Sequence, residues 1–598
     1  MFRLRTALIL ICTAASACAT PKTRDFASSE GADASTDAGN EELVLTTTSL
    51  PNAAYNVAYS VKLEYEGGTN QGIIWSVISG SLPTGVTLSD TGTLSGTPTA
   101  SGAFDVTIQV KDSYGTSANQ QLALTVTRKK WLAYISNEKT AAQDRLYLVD
   151  ISNSTLARSE LTASFADNPG FTIPWYGFAP DGNKLAAIIN THLYVTDVSG
   201  NTPGQLQQVD RGSGITWSNL YGSPWSPDSK SVAYSEVVNS ITNIMVANVT
   251  AGSPGTPAQA GSFGYLNDFF WMNPQTLILA PTGLSDTLNY ARFSNGAWSA
   301  LLQVTSSTNL HYLGLVTVAP SGKRFLGSYY TGSTNTYVVE PETNLVSINV
   351  GLAGKDQFSY DLEMMRYNSA IYSVDAALGT PLVASIGDGA VAWANTNKWL
   401  AVAPTTSGQS IQWVNPVATP VATVDAPSSD TLGAVLQISY APNDSWVGLR
   451  TGSGVYAAVA NSSGIAAPTL LSTALPTAAT LTSFAFAPNS GSVLYLGQQS
   501  TSGIDELYWV NLATGTPTAP RKVSLSLASS INVNSPSWSS DSSTIGYLEK
   551  GPASNPNSAL WVANILDADS NPLVVTPAIV NCTSTTACNR IRDFAFQP

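Results

Sequence analysis

Two histidines, His192 and His311, are the natural candidates for proton transfer near neutral pH in this sequence. If the fold brings them together, they can act as a general acid and a general base; if not, each is a structural residue of a strand. Neither has an obvious partner nearby in the sequence. There is also no Gly-x-Ser-x-Gly, His-Glu-x-x-His or phosphate-loop motif. The sequence therefore predicts no catalytic residue, and a protein that is not an enzyme.

Metal ligands are equally scarce. A calcium-loop spacing occurs in Asp567, Asp569 and Asn571. The glycine and the distant glutamate of such a loop are missing, so an ordinary hairpin fits better. Another group of carboxylates is too small for the roughly six to eight oxygens that calcium takes; its members are Asp112, Glu64 and Glu66. We predict no cofactor, with calcium as the weaker alternative.

One segment concentrates charge and methionine in a chain that is poor in both, with 11% charged residues and 5 methionines. Its central residues are Glu363, Met364, Met365, Arg366 and Tyr367. The segment is either an irregular repeat unit, which we favour, or an insertion that binds a partner.

Of the four cysteines, Cys582 and Cys588 lie close together near the end of the chain. In an exported protein, such a pair predicts a disulfide that closes a small loop. A zinc site is disfavoured because neither histidine is near these cysteines in sequence.

The first residues predict export. Arg3 and Arg5 precede a short apolar run and small residues, as in a secretory signal. The sequence from Ala15 to Cys18 resembles a bacterial lipobox, although alanine stands where leucine is usual. The resemblance implies a signal peptide over 1–18, a lipid on Cys18 and a tether over 19–42. The alternative is an ordinary cleaved signal. We expect an outer-membrane lipoprotein, periplasmic-facing or surface-exposed, whose lipid is its only contact with the membrane.

The net charge of −13 disfavours nucleic acid as a partner, because phosphate contacts need basic patches. With 598 residues, the chain is too long for one ordinary domain. Abundant Gly, Ser, Thr, Asn and Pro suit short strands joined by turns. Together these features predict an all-β protein.

A repeated pattern organises most of the chain. An aromatic strand runs into Ala/Ser-Pro and a polar turn, and a second apolar strand follows, roughly every 45–55 residues. Copies begin at Gly177, Pro224, Trp271, Val318, Tyr440, Phe486 and Trp538, with a weaker one at Ala392. Such periodicity, with about four short strands per unit, is typical of a β-propeller.

The third strands of these units, such as LYVTDVSG at Leu193 and ELYWVNLATG at Glu506, end in Asp, Asn or Glu. Together with the Ser/Ala-Pro-Asp turn, they resemble the WD-like repeats of the translocation protein TolB. The resemblance covers about 131–598 and implies a fold, since such repeats serve many functions. We predict a propeller over 128–598, with eight to ten blades and a ring closed by the final strand FAFQP pairing beside Trp131.

The segment 43–127 alternates apolar and polar residues between turns, which predicts a small sandwich. Its motifs are Leu82-Pro83-x-Gly85, Thr91 to Pro98 and Asp112 to Gly115. They resemble the bacterial Putative Ig, or cadherin-like, family, whose members act as spacers or adhesive units.

Two functional hypotheses follow. We favour a non-catalytic platform, expected to be monomeric, whose propeller binds a protein or glycan partner at the cell envelope. The alternative is a propeller enzyme of lyase or glycosidase type. It would need carboxylates with Tyr, Arg or His at one mouth of the central channel, contributed by distant repeats.

Overall fold

The computed structural model describes residues 42–598 apart from a set of short gaps. The gaps are 70, 138–142, 167–169, 213–214, 216–222, 251–252, 282–287, 305–310, 331–333, 343–344, 348–357, 368–369, 375–380, 385, 387–388, 397–398, 405–410, 419–421, 426–432, 474, 477–478, 501–502, 526–531, 551–557, 566–571 and 576–590. The described residues form strands and turns and contain no helix. Accordingly, this part of the chain contains no helix that is long and apolar enough to cross a membrane.

The first unit is a sandwich of short strands. They are β1 (Val44–Leu45), β2 (Ala53–Ala54), β3 (Tyr59–Lys62), β4 (Tyr65–Glu66), β5 (Ile74–Gly80), β6 (Val86–Leu88), β7 (Thr93–Gly96), β8 (Gly102–Lys111) and β9 (Ser117–Thr127). One sheet has the order β2-β9-β8-β5, a second β3-β7-β6, and β1 pairs with β4. Trp75 is buried between them. Gly92 lies against its ring, where an added Cβ would come within 2.5 Å of the indole, which explains the glycine in the Thr91 hairpin.

Ten further sheets follow within the described residues, numbered here in chain order. Sheet 1 contains β10 (Trp131–Ser136), β11 (Arg145–Asp150) and β12 (Arg158–Glu160); sheet 2 contains β13 (Trp175–Phe178), β14 (Lys184–Ile189), β15 (His192–Asp197) and β16 (Gln207–Gln208). Sheet 3 contains β17 (Ser231–Val238), β18 (Ile241–Asn248) and β19 (Ala258–Phe263). Sheet 4 contains β20 (Leu266–Asn273), β21 (Thr276–Pro281), β22 (Asn289–Ser294), β23 (Ala297–Trp298) and β24 (Leu302–Gln303). Sheet 5 contains β25 (His311–Val318), β26 (Phe325–Tyr330), β27 (Thr334–Glu340) and β28 (Leu345–Ser347).

The second half repeats the arrangement. Sheet 6 contains β29 (Met364–Tyr367), β30 (Ala370–Ser373) and β31 (Val383–Ala384); sheet 7 contains β32 (Gly389–Trp393), β33 (Leu400–Pro404), β34 (Gln412–Asn415) and β35 (Ala422–Asp425). Sheet 8 contains β36 (Val435–Tyr440), β37 (Trp446–Thr451), β38 (Val455–Asn461), β39 (Gly464–Ile465) and β40 (Thr469–Leu470). Sheet 9 contains β41 (Leu481–Phe486), β42 (Ser492–Gly497), β43 (Glu506–Asn511) and β44 (Arg521–Lys522). Sheet 10 contains β45 (Asn532–Trp538), β46 (Thr544–Lys550), β47 (Ser558–Asn564) and β48 (Leu573–Val574), and β49 (Ile591–Phe596) returns to sheet 1.

Hydrophobic clusters connect these sheets in a closed order. Each sheet shares one buried cluster with the sheet before it and another with the sheet after it. The last cluster joins sheet 10 to sheet 1 and includes Leu548, Tyr134 and Phe594. Covered on both sides, the middle strands read as continuous apolar runs, as in WLAYIS of β10 and RLYLVD of β11. A sandwich followed by a propeller confirms the predicted fold class.

Strand β49 closes the ring as expected. It pairs antiparallel with β10, with Phe596 opposite Leu132 and Phe594 opposite Tyr134. The backbone N–H of Trp131 also donates to Gln597 Oε1 at 3.1 Å. Strand β49 thus supplies the innermost strand of sheet 1, whose other strands come from the beginning of the propeller. This pairing confirms the predicted closure.

The tight turns between the first and second strands of several sheets share one geometry. In each of these turns, the residue after the Asp, Asn or Ser has a positive φ: Gly182, Ser229, Gly322, Leu362, Asp444, Ser490 and Ser542. An Asp or Asn just before this residue often caps the turn, as when Asn183 N donates to Asp181 Oδ1 at 2.9 Å. This capping is the role expected for the turn aspartates.

The turns of neighbouring sheets are also hydrogen-bonded to one another. Asp181 N donates to Ser229 Oγ at 2.9 Å, and Asn443 N donates to Ser490 Oγ at 3.0 Å. Elsewhere, Ser540 Oγ donates to the carbonyl oxygen of Gln597 at 3.2 Å. These bonds lie along one face of the ring and tie each sheet to the next.

Sheet 6 contains the segment rich in charge and methionine. Residues 364–367 form β29, and Phe358 bridges Met365 in the position of a first strand. Met364 and Met365 are buried in the clusters that join this sheet to its two neighbours. The side chains of these two methionines therefore pack in the core of the ring, as in a repeat unit. Glu363 is exposed at the turn and Arg366 is partly buried; the side chain of Tyr367 is outside the described set.

Candidate functional site

The ring has two unlike faces. We call the side with the first-to-second strand turns the turn face. The opposite side, which carries the second-to-third strand turns and the connections between sheets, is the loop face. Long connections at the mouth of a propeller are common places for binding residues. The loop face of sheets 2 and 3 contains a group of polar residues that we call the loop-face cluster: His192, Asp210, Arg211, Tyr234 and Glu236.

His192 and Asp210 form the centre of the loop-face cluster. His192 begins β15, and Asp210 follows β16, which pairs with β15. Their Nδ1 and Oδ2 atoms are 2.9 Å apart, with side-chain exposures of 32% for His192 and 1% for Asp210. A buried carboxylate thus orients an accessible imidazole.

Backbone groups fix this carboxylate. Leu193 N donates to Asp210 Oδ1 at 2.9 Å, and Gly212 N donates to Oδ2 at 3.0 Å. The amide of Gln208 donates to Oδ2 at 3.3 Å. These donors satisfy the buried oxygens of the Asp210 carboxyl group and fix its orientation.

Tyr234 and Glu236 approach the pair from sheet 3. Both are on β17, two residues apart, so their side chains lie on the same face of the strand. Burial raises the pKa of Tyr234, and the negative charges of Glu236 and Asp210 raise it further against the opposing effect of Arg211. Tyr234 and Glu236 are buried. Arg211 itself donates to the carbonyl oxygen of Pro257 at 2.7 Å.

A second polar pair lies beside sheet 1. Arg592 of β49 makes an ion pair with Asp144, whose Oδ2 also accepts a hydrogen bond from Ile173 N at 3.1 Å. The Arg592 side chain is 47% exposed. Burial raises the pKa of Tyr176 on β13, and the charge of Asp593 adds to the shift. Charged groups thus continue from sheet 3 back to sheet 1.

The innermost strands on the other side of the ring carry neutral groups. Exposed or half-exposed residues of β36, β41 and β45 are Leu436, Gln437, Ser439, Thr482, Ala485, Ser535 and Ser537. The described innermost strands of sheets 8–10 are therefore neutral, but other strands of these sheets carry charged groups, as those of sheets 1–3 do. These groups are Arg450, Glu506, Lys522 and Glu549.

The two histidines do not share a site. His192 is in sheet 2, whereas His311 begins β25 in sheet 5, and these sheets are not neighbours in the ring. The predicted lipid site Cys18, the predicted disulfide Cys582–Cys588 and the calcium-like residues 567–571 lie outside the described residues. Across the described residues, no group of three His, Cys, Asp or Glu side chains is placed to hold a metal ion.

Asp112, a candidate calcium ligand of the first domain, acts as a turn cap. Its Oδ1 accepts hydrogen bonds from Tyr114 N at 3.0 Å and Thr116 N at 2.9 Å. Its Oδ2 accepts one from Thr69 Oγ1 at 3.2 Å. These hydrogen bonds make Asp112 the cap of its own loop.

Sequence reasoning missed Asp210 and Glu236. One signal for Glu236 was available, because it interrupts the apolar run SVAYSEVV of a second strand. Asp210 follows a strand of only two residues, β16, and a period-based pattern cannot place such a strand.

Comparison with known proteins supports the architecture. Residues 41–127 match the family model described as Putative Ig domain, which confirms the resemblance of this segment. No curated protein matches the chain.

Solved structures that resemble the chain do so weakly. A eukaryotic initiation factor is 12% identical, with 79% of this chain and 99% of that chain covered and a TM-score of 0.39. TolB from Acinetobacter baumannii is 14% identical, covering 57% of this chain and 76% of its own, with a TM-score of 0.26. Oligogalacturonate lyase from Vibrio parahaemolyticus is 10% identical, covering 63% and 94%, with a TM-score of 0.28. Similarity at this level carries no functional argument.

Proposed function

We propose that this chain is an exported, lipid-anchored binding protein whose propeller holds a protein or glycan partner on its loop face. The first domain serves as a spacer on the opposite side. The observation that supports this proposal most is the position of the first domain, which contacts the turn face and leaves the loop face open.

The joint between the two domains is specific. The guanidinium of Arg128 lies 4.7 Å from the centre of the Tyr55 ring. Its Nη2 donates to Asn183 Oδ1 at 3.0 Å, in the turn of sheet 2. Lys130 pairs with Asp541 in the turn of sheet 10. We infer that a chain anchored through Cys18 would present its loop face away from the attachment, with the first domain between the anchor and the turn face.

The loop face also presents apolar side chains. The β17–β18 hairpin ends in Val238 and Ile241, which are exposed, and Tyr265 nearby in the chain is 77% exposed. Exposed aromatic and aliphatic residues near Arg and His groups are typical of protein-binding surfaces. This surface continues into the loop-face cluster through β17.

Anchoring is tested first through Cys18. We expect the wild-type chain to partition with membranes and to carry lipid on its N-terminal cysteine, and Cys18→Ala to be released in soluble form. Mass spectrometry of the mature N-terminus gives the result directly. An unmodified N-terminus cleaved elsewhere would remove the anchor from the proposal.

Partner binding is tested with photo-crosslinking residues placed at Ile241 on the loop face and at Ser321 on the turn face. Both positions are exposed, so each reports on its own face. We expect adducts in envelope preparations from position 241 alone, and their loss when Val238→Asp is added. Adducts from position 321 alone would reverse the proposed orientation. A glycan partner would instead retain the chain on immobilised envelope polysaccharide, again in a manner that Val238→Asp abolishes.

A second function, catalysis, is favoured by one observation, the His192–Asp210 pair. A buried carboxylate that orients an accessible imidazole is an arrangement that can move a proton. Incubation with acidic and neutral polysaccharides, followed by assays for new reducing ends and unsaturated products, tests it. Activity that His192→Ala and Asp210→Asn both abolish would establish an enzyme, and activity that survives both would exclude this pair.

A further inference from the structure

The first domain has two ends, one of which meets the propeller. Strand β8 begins at Gly102, which lines the joint with the turn face. The strand then runs for 10 residues to Lys111, a distance of about 30 Å at the usual rise of a strand. The opposite end of the domain therefore lies well away from the joint. We call this end the far tip, and it consists of residues 67–69, 71–74 and 111–117.

The chain enters the first domain at the far tip. A Cβ added to Gly68 would be 3.0 Å from Leu43 Cδ1 and 3.5 Å from Asp112 Oδ2. Thr69 Oγ1 donates to the same carboxylate oxygen at 3.2 Å. A segment that leads from the predicted lipid on Cys18 to Leu43 therefore reaches the domain at its far tip and not at the joint.

The far tip presents apolar side chains to solvent. Tyr114 is 80% exposed and Ile74 is 60% exposed. Ile74 is opposite Lys111 in the ladder of β5 and β8, and Lys111 precedes Tyr114 by only a few residues. The loops that carry them are also joined, because Ser113 N donates to the carbonyl oxygen of Gln71 at 2.9 Å. Both exposed residues thus lie at the same end of the domain.

The loops of the far tip are nearly uncharged, in a chain with a net charge of −13. Residues 67–74 and 112–117 contain one charged side chain, Asp112, which is buried and caps its own loop. The charges that flank these loops, Lys111 and Glu66, are exposed and of opposite sign. An exposed tyrosine beside an exposed aliphatic residue suits the interface of a lipid bilayer, where a ring with a polar end is favoured.

We propose that the far tip contacts the surface of the lipid bilayer, with Tyr114 and Ile74 at the level of the headgroups. This proposal rests on the proposed anchor at Cys18, and it adds a second contact to the lipid. The anchor confines the tip, because a flexible segment of about 24 residues has a root-mean-square length of about 27 Å. Two side chains bury too little apolar area to hold a free protein on a membrane, so the tip acts only in an anchored chain. Its contact would fix the first domain upright between the bilayer and the ring.

Crosslinking to lipid tests this contact in the anchored chain. The mature chain that begins at Cys18 is coupled through this cysteine to a maleimide lipid in vesicles of phosphatidylethanolamine and phosphatidylglycerol. The test is then independent of whether the cell attaches a lipid. A photo-crosslinking residue replaces Thr116, which is exposed at the far tip, or Thr84, which is exposed near the joint and bonded to Thr99. We expect lipid adducts by mass spectrometry from position 116 and almost none from position 84.

Variants of the exposed residues separate contact with lipid from mere proximity. Tyr114→Ser combined with Ile74→Ser should lower the lipid adducts at position 116 by about tenfold, with the free energy of unfolding unchanged because both side chains are exposed. Val57→Ser removes an exposed apolar side chain outside the far tip and should leave the adducts unchanged.

The two proposals fail in different ways. The contact of the far tip is overturned if position 116 forms no more lipid adducts than position 84, or if the double serine variant leaves the adducts unchanged. An unmodified Cys18 in the chain purified from cells would overturn the anchor instead, and the vesicle experiment would still decide whether the tip contacts lipid.

Discussion

The carboxylate of Asp541, in the turn of sheet 10, is surrounded by hydrogen-bond donors. Asp541 accepts hydrogen bonds from Ser539 Oγ at 2.7 Å and Ser543 N at 3.1 Å, and pairs with Lys130. Burial alone would raise the pKa of Asp541, but Lys130 and these donors hold it well below its usual range. The folded state therefore binds this proton only at a lower pH than the unfolded chain does.

That difference predicts acid sensitivity. The contribution of Asp541 to the free energy of unfolding is complete above an unfolded pKa of about 4 and is lost as the pH falls towards the native pKa. Asp541→Asn should lower stability at neutral pH and flatten its decline towards acid. Denaturant titrations from about pH 7 to about pH 3 measure this. Asp181→Asn, at the equivalent position of sheet 2, is the matched control for replacing a turn aspartate by its amide, because Asp181 caps its turn through Asn183.

Individual site residues were the hardest features to predict. His192 was a visible candidate, yet its partner follows a two-residue strand, and their contact depends on how β15 pairs with β16. Turn aspartates such as Asp228 were predictable, because an Asx cap forms between residues two positions apart. A contact between residues a few positions apart can be predicted from the local sequence. A contact between strands depends on the register of their pairing, which the local sequence does not determine.

At the scale of elements, glycine in a second strand gives room for the aromatic rings of the next sheet. An added Cβ at Gly448 of β37 would be 2.4 Å from Phe484 of β41. Gly546 of β46 is placed in the same way against Phe594 of β49. The same arrangement of glycine and phenylalanine thus occurs at two sheet interfaces. At each, the missing Cβ lets the innermost strand of the next sheet pack closely against the second strand.

Gly448→Ala should therefore overpack the interface between sheets 8 and 9. We expect a loss of about 1–3 kcal/mol in the free energy of unfolding, measured by denaturant titration. Gly452→Ala is the matched control, because a Cβ there would meet no atom within 4 Å. Equal stability of the two variants would show that the aromatic rings can shift without cost.

The turn-to-turn bonds make a second element-scale prediction. Ser490 has a φ of 63° and accepts a hydrogen bond from Asn443 N at 3.0 Å. Ser490→Ala loses the bond and keeps the left-handed backbone, so it should cost about 1–2 kcal/mol. Ser490→Gly loses the same bond but relieves the backbone, and it should be more stable than the alanine variant by about 1 kcal/mol. If glycine is no better than alanine, the backbone at this position is not strained.

At the scale of the whole molecule, the clusters between sheets make stability a property of the closed ring. Phe594 is buried between β49 and sheet 10. Phe594→Ala should cost about 3–5 kcal/mol and lower the unfolding temperature in scanning calorimetry. The exposed ring of Phe293 is the control, and its removal should have little effect. A small loss at Phe594 would mean that the remaining interfaces hold the ring without this contact.

The propeller could be predicted because each unit repeats the same sequence pattern. Strand, Pro-containing turn and strand recur in sequence, and the final FAFQP could be assigned to sheet 1 from its pattern alone. Sheet 6 was less clear, because its first strand is reduced to the bridge between Phe358 and Met365. The approach of Tyr234 and Glu236 to the His192–Asp210 pair could not be predicted from the sequence, because it depends on which distant strands become neighbours.

The position of β10 has a mechanical consequence. Tension on an anchored chain would enter the propeller at Trp131, where β10 leaves the turn face. This strand is paired along its length with β11 on one side and β49 on the other. A pull along the strand axis loads these hydrogen bonds in shear, all at once, whereas a pull across the strand would peel them apart singly. Because β49 pairs with β10, the strand that would bear the load has hydrogen-bonded neighbours on both of its sides.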